Sequence, residues 1–328
     1  MEQVRKTDKM KEMPVNKLML AMGIPIVLSM ILQAVYNIVD SAFVSNMAEY
    51  GEDALNALTL AFPMQMLMVA VSIGTGVGVN ALVSKCLGMG EKEKAGKAAG
   101  NAVFLGIVIS LMFIIFGLFG TNIYISSQTS DPLISEMANE YLGICCVFSF
   151  GIIFFSVFEK LLQAGGHSGF STIAQIIGAV ANIILDPIFI FGFNMGVKGA
   201  ALATVLSQAC SAAWVLTFLF SKRASLPLEK PYMKLDRKII LSILALGVSP
   251  FIMASTESLV GFVLNSSLKE FGDIYISALT ILQSAMQFAS VPLTGFAQGF
   301  VPIISYNYGH GDKQRVKECF RIVLITMF

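Results

Sequence analysis

Charged side chains are scarce in this sequence. Only 13% of the 328 residues are Asp, Glu, Lys or Arg, whereas a soluble domain carries about a quarter. Hydrophobic residues make up 55% of the chain, and the mean hydropathy is +0.75. This composition excludes an ordinary soluble globular protein and indicates an integral membrane protein. The net charge of +1 gives no reason to expect nucleic acid as a partner.

Side chains that bind metals or perform nucleophilic chemistry are also few. The chain has five cysteines and two histidines, and no spacing among them matches a metal site or a disulfide framework. We predict that the adjacent Cys145 and Cys146 are packing residues and that His167 and His310 lie in solvated loops. An intramembrane enzyme would need a nucleophile, a base or a metal cluster, so the sequence argues against an enzyme.

Long hydrophobic runs fill most of the chain. The polar N-terminus lacks the apolar core and cleavage site of a removable signal, so the first run is expected to stay in the protein. A transmembrane helix needs roughly 20 apolar residues, and eight runs reach that length, with a ninth beginning near residue 316. The predicted spans are 18–46, 54–86, 94–122, 138–163, 170–191, 198–220, 238–265 and 275–304.

The basic residues lie on one side of this arrangement. All but two of the 22 Lys and Arg residues fall in the N-terminal tail or in the even-numbered loops, with Lys160 placed in the fourth loop. The two exceptions are Lys198 and Lys269. The positive-inside rule therefore predicts a multi-pass protein of the cytoplasmic membrane with its N-terminus in the cytoplasm.

The chain repeats itself at a constant offset of 221 residues. Gly74 and Gly78 recur as Gly295 and Gly299, and the tripeptide 57–59 (ALT) recurs at 278–280. Since the first unit contains six helices, the second copy enters the membrane in the same orientation, which makes a parallel repeat. We predict an all-α integral membrane fold of two parallel six-helix repeats, with twelve helices expected and about eight and a half present. On this period, roughly 110–120 further residues would complete the second repeat.

The repeat and the spans together predict the domain organisation. The predicted units are a cytoplasmic tail (1–17), an N-lobe of six spans (18–221), a cytoplasmic linker (222–237) and a partial C-lobe (238–328). The C-lobe would hold the seventh and eighth spans and the start of the ninth.

Three acids lie where hydropathy predicts hydrocarbon: Asp40, Asp186 and Glu257. An acid at the centre of a membrane helix costs roughly 2.5 to 3.5 kcal/mol on translocon scales. Acids kept there usually face a cavity and carry a proton, an ion or a substrate cation. No Lys or Arg is predicted within the visible spans to pair with Glu257, so that acid is expected to be protonatable near neutral pH. A transporter is therefore the first hypothesis.

Polar side chains accompany two of these acids at helical spacing. On the first predicted helix, Gln33, Tyr36 and Asn37 precede Asp40 on one face. For Gln33 and Asn37, hydrogen bonding between helices is a sufficient explanation.

The second set lies on the fifth and sixth predicted helices. Asn182 lies four residues before Asp186, which Pro187 follows, and Thr204 and Gln208 share one face of the next helix. Asp186 could instead cap a helix end. A carboxylate, an amide and a hydroxyl together could accept a proton or coordinate Na⁺.

Several motifs in this chain resemble those of the multidrug and toxic compound extrusion (MATE) family of transporters. They are residues 36–44 (YNIVDSAFV), 88–92 (GMGEK), 182–189 (NIILDPIF) and 196–201 (GVKGAA), followed by Ala203 and Thr204. The resemblance covers essentially the whole sequence. It implies twelve helices in two lobes and drug efflux driven by inward movement of H⁺ or Na⁺.

The resemblance also implies roles for the polar residues. Asp40, Asn182, Asp186 and Thr204 match the positions of the family's cation or proton site, and Glu257 matches a carboxylate on the seventh helix of sodium-coupled members. The coupling ion stays open between H⁺ and Na⁺, with Na⁺ expected at Asp40 and Asp186 or at Glu257. The candidate substrate-cavity residues are Gln33, Tyr36, Asn37 and Gln208. No cofactor is expected apart from the coupling ion.

The predicted function is export of cationic amphipathic compounds in exchange for H⁺ or Na⁺ by alternating access. The expected partners are cationic drugs or toxins and the lipid bilayer, with no nucleic acid, and the protein is expected to be monomeric. The alternative is a flippase for lipid-linked saccharides, which would need cationic residues lining its cavity to meet pyrophosphate. None is predicted within the eight spans. A channel fits less well, because repeats and kinked helices favour a carrier.

Overall fold

The predicted all-α architecture is confirmed. A computed structural model of the protein describes residues 10–47, 51–221, 230–269 and 273–327, and all regular structure in these ranges is helical. The α-helices are α1 (Val15–Ser45), α2 (Gly51–Gly88), α3 (Lys92–Phe119), α4 (Thr121–Ser126), α5 (Pro132–Val147), α6 (Phe150–Ala164), α7 (Ser168–Pro187), α8 (Gly196–Leu219), α9 (Arg237–Lys269), α10 (Asp273–His310) and α11 (Lys313–Met327). A π-helical turn covers Ile188–Gly192 and a 3₁₀ turn covers Lys230–Met233.

Some of the predicted features fall outside this description. Residues 1–9 of the predicted tail and 222–229 of the predicted linker are among them, as are the side chains of Asn37, Glu257 and most residues from 258 to 289. The proposed lobe boundaries stay predictions.

Six helices in the described part of the chain are long and apolar enough to cross a membrane, and a bent pair brings the number of spans to seven. The bounds of five of them follow the predicted spans within three residues, as the predicted span 198–220 and the observed Gly196–Leu219 illustrate, and the sixth, Arg237–Thr256, covers the first part of the predicted span 238–265. The predicted eighth span, 275–304, lies within α10. The molecule is a multi-pass membrane protein.

The fourth predicted span, 138–163, is wrong as a single helix. It consists of α5 and α6, which are bent by 47° at Phe148 and Ser149. The bend brings Gly151 against the backbone of α8, where an added methyl group would lie 3.0 Å from the amide nitrogen of Ala209. The break between α5 and α6 therefore lies beside a close contact of α6 with α8.

Asp186 and Pro187 end the regular part of α7. Proline has no backbone N–H and disturbs the helical hydrogen bonds around it, and the chain continues as the π-helical turn Ile188–Gly192. Such turns are often found at functional sites. Gly199 allows α8 to pack closely on this turn, since a methyl group there would meet the Phe189 carbonyl oxygen at 2.8 Å.

The repeated glycines lie where the first and second halves of the chain meet. Helix α9 packs on α2, and α10 packs on α1 and α2. A methyl group on Gly74 would lie 3.0 Å from the carbonyl oxygen of Gly247, and one on Gly299 would lie 2.9 Å from the Cα atom of Gly23. We call the α2–α9 and α1–α10 contacts the seam. Small residues permit this close approach of helices in a membrane, and their equivalent positions agree with the parallel repeat.

Two sequence-based placements are wrong. Lys160 does not lie in a loop but within α6, with 5% of its surface exposed, so a Lys does occur inside a predicted span. His167 is not solvated: it is buried in the turn between α6 and α7, and its ring lies 5.2 Å from the ring of Phe218. His310 is exposed at the end of α10, and Cys145 and Cys146 are buried as predicted.

Candidate functional site

A cavity of about 280 Å³ lies among α1, α2, α5, α6 and α8. We call the end of the bundle at which α1 begins and α2 and α10 finish the N-terminal end. The cavity occupies the opposite half of the bundle. The residues that line it are Gln33, Tyr36, Asp40, Leu55, Leu58, Thr59, Phe62, Gln65, Met66, Met68, Val69, Tyr141, Ile152, Thr204 and Gln208. Its wall is therefore largely apolar and aromatic, with one carboxyl group and a few amides and hydroxyls.

Two carboxyl groups meet at the wall of this cavity. Asp40 lines it from α1, and Asp186 lies behind on α7 with none of its surface exposed. The two side chains are within hydrogen-bonding reach of each other. Asn182, one turn before Asp186, donates a hydrogen bond of 3.2 Å from its Nδ2 to Oδ1 of Asp186.

Among the residues that the structure describes, this carboxyl pair has no cationic partner. None of the ion pairs found in the described part of the chain involves either acid. One oxygen each of Asp40, Asp186 and Asn182 is buried without a protein hydrogen bond. Buried acceptors without donors are costly, so these oxygens are suited to bind a proton or a cation that enters from the cavity.

A second polar contact joins α1 to α8. Gln208 donates a hydrogen bond of 3.3 Å from Nε2 to the hydroxyl oxygen of Tyr36, while its own Oε1 is buried and has no protein partner. Thr204 lines the cavity one turn away on the same helix. These groups offer oxygens to a cation without adding charge.

The structure brings together most of the predicted site. Gln33, Tyr36, Asp40, Thr204 and Gln208 all line the cavity. Asn182 and Asp186 stand directly behind Asp40. Glu257 belongs to α9 and Asn37 to α1, and their side chains lie outside the described residues. The coupling roles of all these residues stay predictions.

Sequence reasoning missed the polar wall formed by α2 and α5. Gln65 donates a 3.3 Å hydrogen bond to the hydroxyl oxygen of Tyr141 and approaches the sulfur of Cys145 at 3.5 Å. An amide within an apolar span, two residues after Pro63, is a signal that could have identified Gln65. Tyr141 gives no such signal, because an aromatic residue in a membrane helix is ordinary.

A smaller cavity of about 100 Å³ continues toward the N-terminal end. It shares Gln33, Val69, Ile152 and Gln208 with the larger one. Glu159 and Lys160 lie at its wall, so the sequence-based expectation that no cation lines the pathway is wrong. Lys160 is compensated, however, by a carboxylate oxygen of Glu159 at 3.9 Å and by the amide oxygen of Gln163 at 3.1 Å.

An all-α membrane bundle whose cavity is lined by apolar side chains, a carboxyl group and a few amides is typical of a membrane transporter. The sequence matches the MatE family over residues 25–188 and 250–328, which is most of the chain. The protein therefore belongs to the MatE family of efflux transporters.

Individual relatives agree with this assignment. The chain is 25% identical to the multidrug export protein MepA of Staphylococcus saprophyticus, over 95% of this chain and 69% of that protein. A solved structure described as the outward-facing conformation of a multidrug resistance MATE family transporter superposes with a TM-score of 0.90 at 25% identity, covering 97% of this chain and 70% of that one. A MATE structure in the straight conformation gives a TM-score of 0.91 at 25% identity and covers 97% of this chain and 71% of the other.

Proposed function

We propose that this protein is a secondary active antiporter that exports cationic amphipathic compounds in exchange for H⁺ or Na⁺ by alternating access. The observation that carries the proposal is the carboxyl pair Asp40 and Asp186 at the wall of a largely apolar cavity, where each has a buried oxygen and neither has a cationic partner among the described residues. The MepA relatives are named multidrug export proteins, which supports export of small-molecule drugs.

The cavity offers complementary surfaces for such a substrate. Its positive group would lie near Asp40, where the carboxylate attracts it and the ring of Tyr36 adds a cation–π contact. Its apolar body would pack on Phe62, Met66 and Leu58. Methionine adapts its shape to different partners, so one cavity could accept compounds of several shapes.

Exchange would follow from competition for the same carboxyl oxygens. A proton or Na⁺ bound between Asp40 and Asp186 removes the negative charge that holds the substrate, so ion and substrate bind at each other's expense. Neutralising the pair would also let the C-terminal half of α1 bend or repack. Glu257 on α9 is proposed to bind cation or drug as a second site.

The flippase alternative receives less support. It requires a free positive charge in the cavity to meet pyrophosphate. Lys160 is the cation that lines the smaller cavity among the described residues, and Glu159 compensates its charge.

The proposal includes location and assembly. The distribution of basic residues supports the cytoplasmic membrane and a cytoplasmic N-terminus. We propose that the transporter acts as a monomer, as the sequence-based prediction has it.

Efflux from proteoliposomes tests this function. Vesicles holding the protein are loaded with a fluorescent cationic dye, and a proton gradient and a sodium gradient are imposed separately on the wild type, Asp40→Asn and Glu257→Gln. We expect gradient-driven efflux that Asp40→Asn abolishes. If dye efflux depends on the sodium gradient and is lost in Glu257→Gln, the coupling site lies on α9 instead. Dye that moves under neither gradient in the wild type would contradict the proposal.

A further inference from the structure

A buried polar cluster lies at the wall of the smaller cavity, separate from the carboxyl pair. The ammonium group of Lys160 donates hydrogen bonds to the amide oxygens of Gln163, at 3.1 Å, and of Gln298, at 2.6 Å. Gln163 in turn donates to Glu159 at 3.1 Å. Lys160 and Gln163 are 5% and 0% exposed, so these bonds form away from bulk water.

The bond from Lys160 to Gln298 differs from the others in the cluster because it joins the two halves of the chain. Lys160, Gln163 and Glu159 all belong to α6, whereas Gln298 belongs to α10. The Lys160–Gln298 hydrogen bond is short, at 2.6 Å. Its donor is charged, and a charged donor makes a hydrogen bond roughly twice as strong as one between neutral groups.

A third helix holds Lys160 in place. The stem of Lys160 lies against Gly76 of α2, where an added methyl group would lie 2.8 Å from Cγ of the lysine. Because residue 76 has no side chain, the stem of Lys160 has room to lie against α2 while its ammonium group contacts Gln298.

This contact stands between the cavities and the N-terminal end. Beyond it the two halves of the chain meet through direct backbone contacts, with Gly299 of α10 packed on Gly23 of α1, and Gly309 of α10 packed on Lys85 of α2. Under the proposed alternating access, a path from the cavities to the N-terminal end opens where these helices meet, as α10 moves away from α1 and α2. That movement separates Gln298 from Lys160.

We propose that the Lys160–Gln298 hydrogen bond is a latch that keeps the cavity closed toward the N-terminal end and breaks each time that end opens. The inference rests on the proposed alternating access. The chemistry suits a reversible contact, because Lys160 keeps Glu159 and Gln163 as partners on its own helix after the latch opens. Gln298 is uncharged and leaves no unpaired charge behind. A carboxylate at that position would form an ion pair that is much harder to separate.

Distances between spin labels at the N-terminal end test the latch. Labels on Met89→Cys and His310→Cys, both exposed, would report the separation of α2 and α10. Cys210 is the exposed native cysteine and is replaced by Ser, while the other four are buried. The distances are measured without dye in the parent protein, in Gln298→Leu and in the matched control Gln314→Leu, an exposed glutamine on α11.

The latch predicts that Gln298→Leu raises the ratio of open to closed molecules roughly tenfold, as expected for loss of one charge-assisted hydrogen bond, while Gln314→Leu matches the parent. Gln298→Glu should shift the ratio the other way and slow dye efflux, which general damage to packing would not do. A Gln298→Leu distribution equal to the parent's, or a Gln298→Glu protein that opens more, would overturn the latch. Normal opening with no dye transport would count against the proposed function alone.

Discussion

At the scale of single residues, the carboxyl pair combines burial with incomplete hydrogen bonding. Asp186 keeps one bond, from Asn182, and each acid retains a buried oxygen without a protein donor. Two carboxylates in contact cannot both carry a charge cheaply in a site of low dielectric. The pair therefore favours a bound proton or metal cation whenever no substrate cation is present.

The first prediction separates coupling from folding at this pair. Asp186→Asn retains an oxygen that can accept the bond from Asn182, so we expect a folded protein whose melting temperature is close to the wild type's. Ion-driven dye efflux should fall to the level of vesicles without protein. Asp131→Asn is the control, because Asp131 is an exposed N-cap of α5 and asparagine caps equally well. Full efflux in Asp186→Asn would show that the pair does not couple.

The residue scale also shows what hydropathy could predict. Asp40, Asp186, Asn182 and Gln208 were visible because a polar group in an apolar run stands out. Lys160 was misplaced because it lies in the last turns of α6, and near a span end the sequence cannot distinguish a loop lysine from one whose stem is buried. Its partner Gln298 lies 138 residues away, and such pairing depends on packing.

At the scale of helices, close approach of backbones determines the architecture. The repeated glycines mark the seam, and a methyl group on Gly78 would collide with the carbonyl oxygen of Ile243 on α9. The recurrence of these glycines was visible in the sequence. The bend between α5 and α6 was not, because it depends on the contact of Gly151 with α8, and neither helix contains a proline at the break.

The second prediction concerns this seam. Gly78→Ala should destabilise the protein by about 1–3 kcal/mol, the usual cost of overfilling a packed site, and lower its melting temperature in detergent. Gly169→Ala is the control, since nothing lies within 4 Å of a methyl group there and its α7 backbone has no positive φ. Alanine is also the better helix former by about 1 kcal/mol. Equal melting temperatures for the two variants would mean that the seam tolerates extra volume.

At the scale of the whole molecule, the charge distribution predicts the orientation in the membrane. The correction at Lys160 removes one charge from the loops but leaves the asymmetry, because the other basic residues of the even-numbered loops are unaffected. The third prediction uses Lys94 and Lys198, whose side chains are 53% and 49% exposed near opposite ends of the bundle.

Lys94 and Lys198 are replaced singly by cysteine in a Cys210→Ser background. Intact cells that hold each variant are treated with a membrane-impermeant maleimide. We expect labelling of Lys198→Cys at once, and of Lys94→Cys only after the cells are permeabilised. The reverse pattern would invert the proposed topology and place the N-terminus outside.

The order and approximate bounds of most spans could be predicted from the sequence because each span is a local property. The cavities could not, because Gln65, Tyr141 and Gln298 reach them from three separate helices. The resemblance to family motifs predicted part of the site, because it assigned Asp40, Asn182, Asp186 and Thr204 to one cation or proton site.

The central claim is that ion and substrate compete for one carboxyl pair, and equilibrium binding tests it most directly. Binding of a fluorescent cationic dye to the purified protein is measured as the pH is lowered and, separately, as sodium is added. We predict that one of these ions weakens dye affinity by about 5- to 150-fold, the range usual for coupled sites, and that Asp40→Asn removes the dependence. Dye affinity that is indifferent to both ions in the wild type, or that either ion strengthens, would contradict exchange at this site.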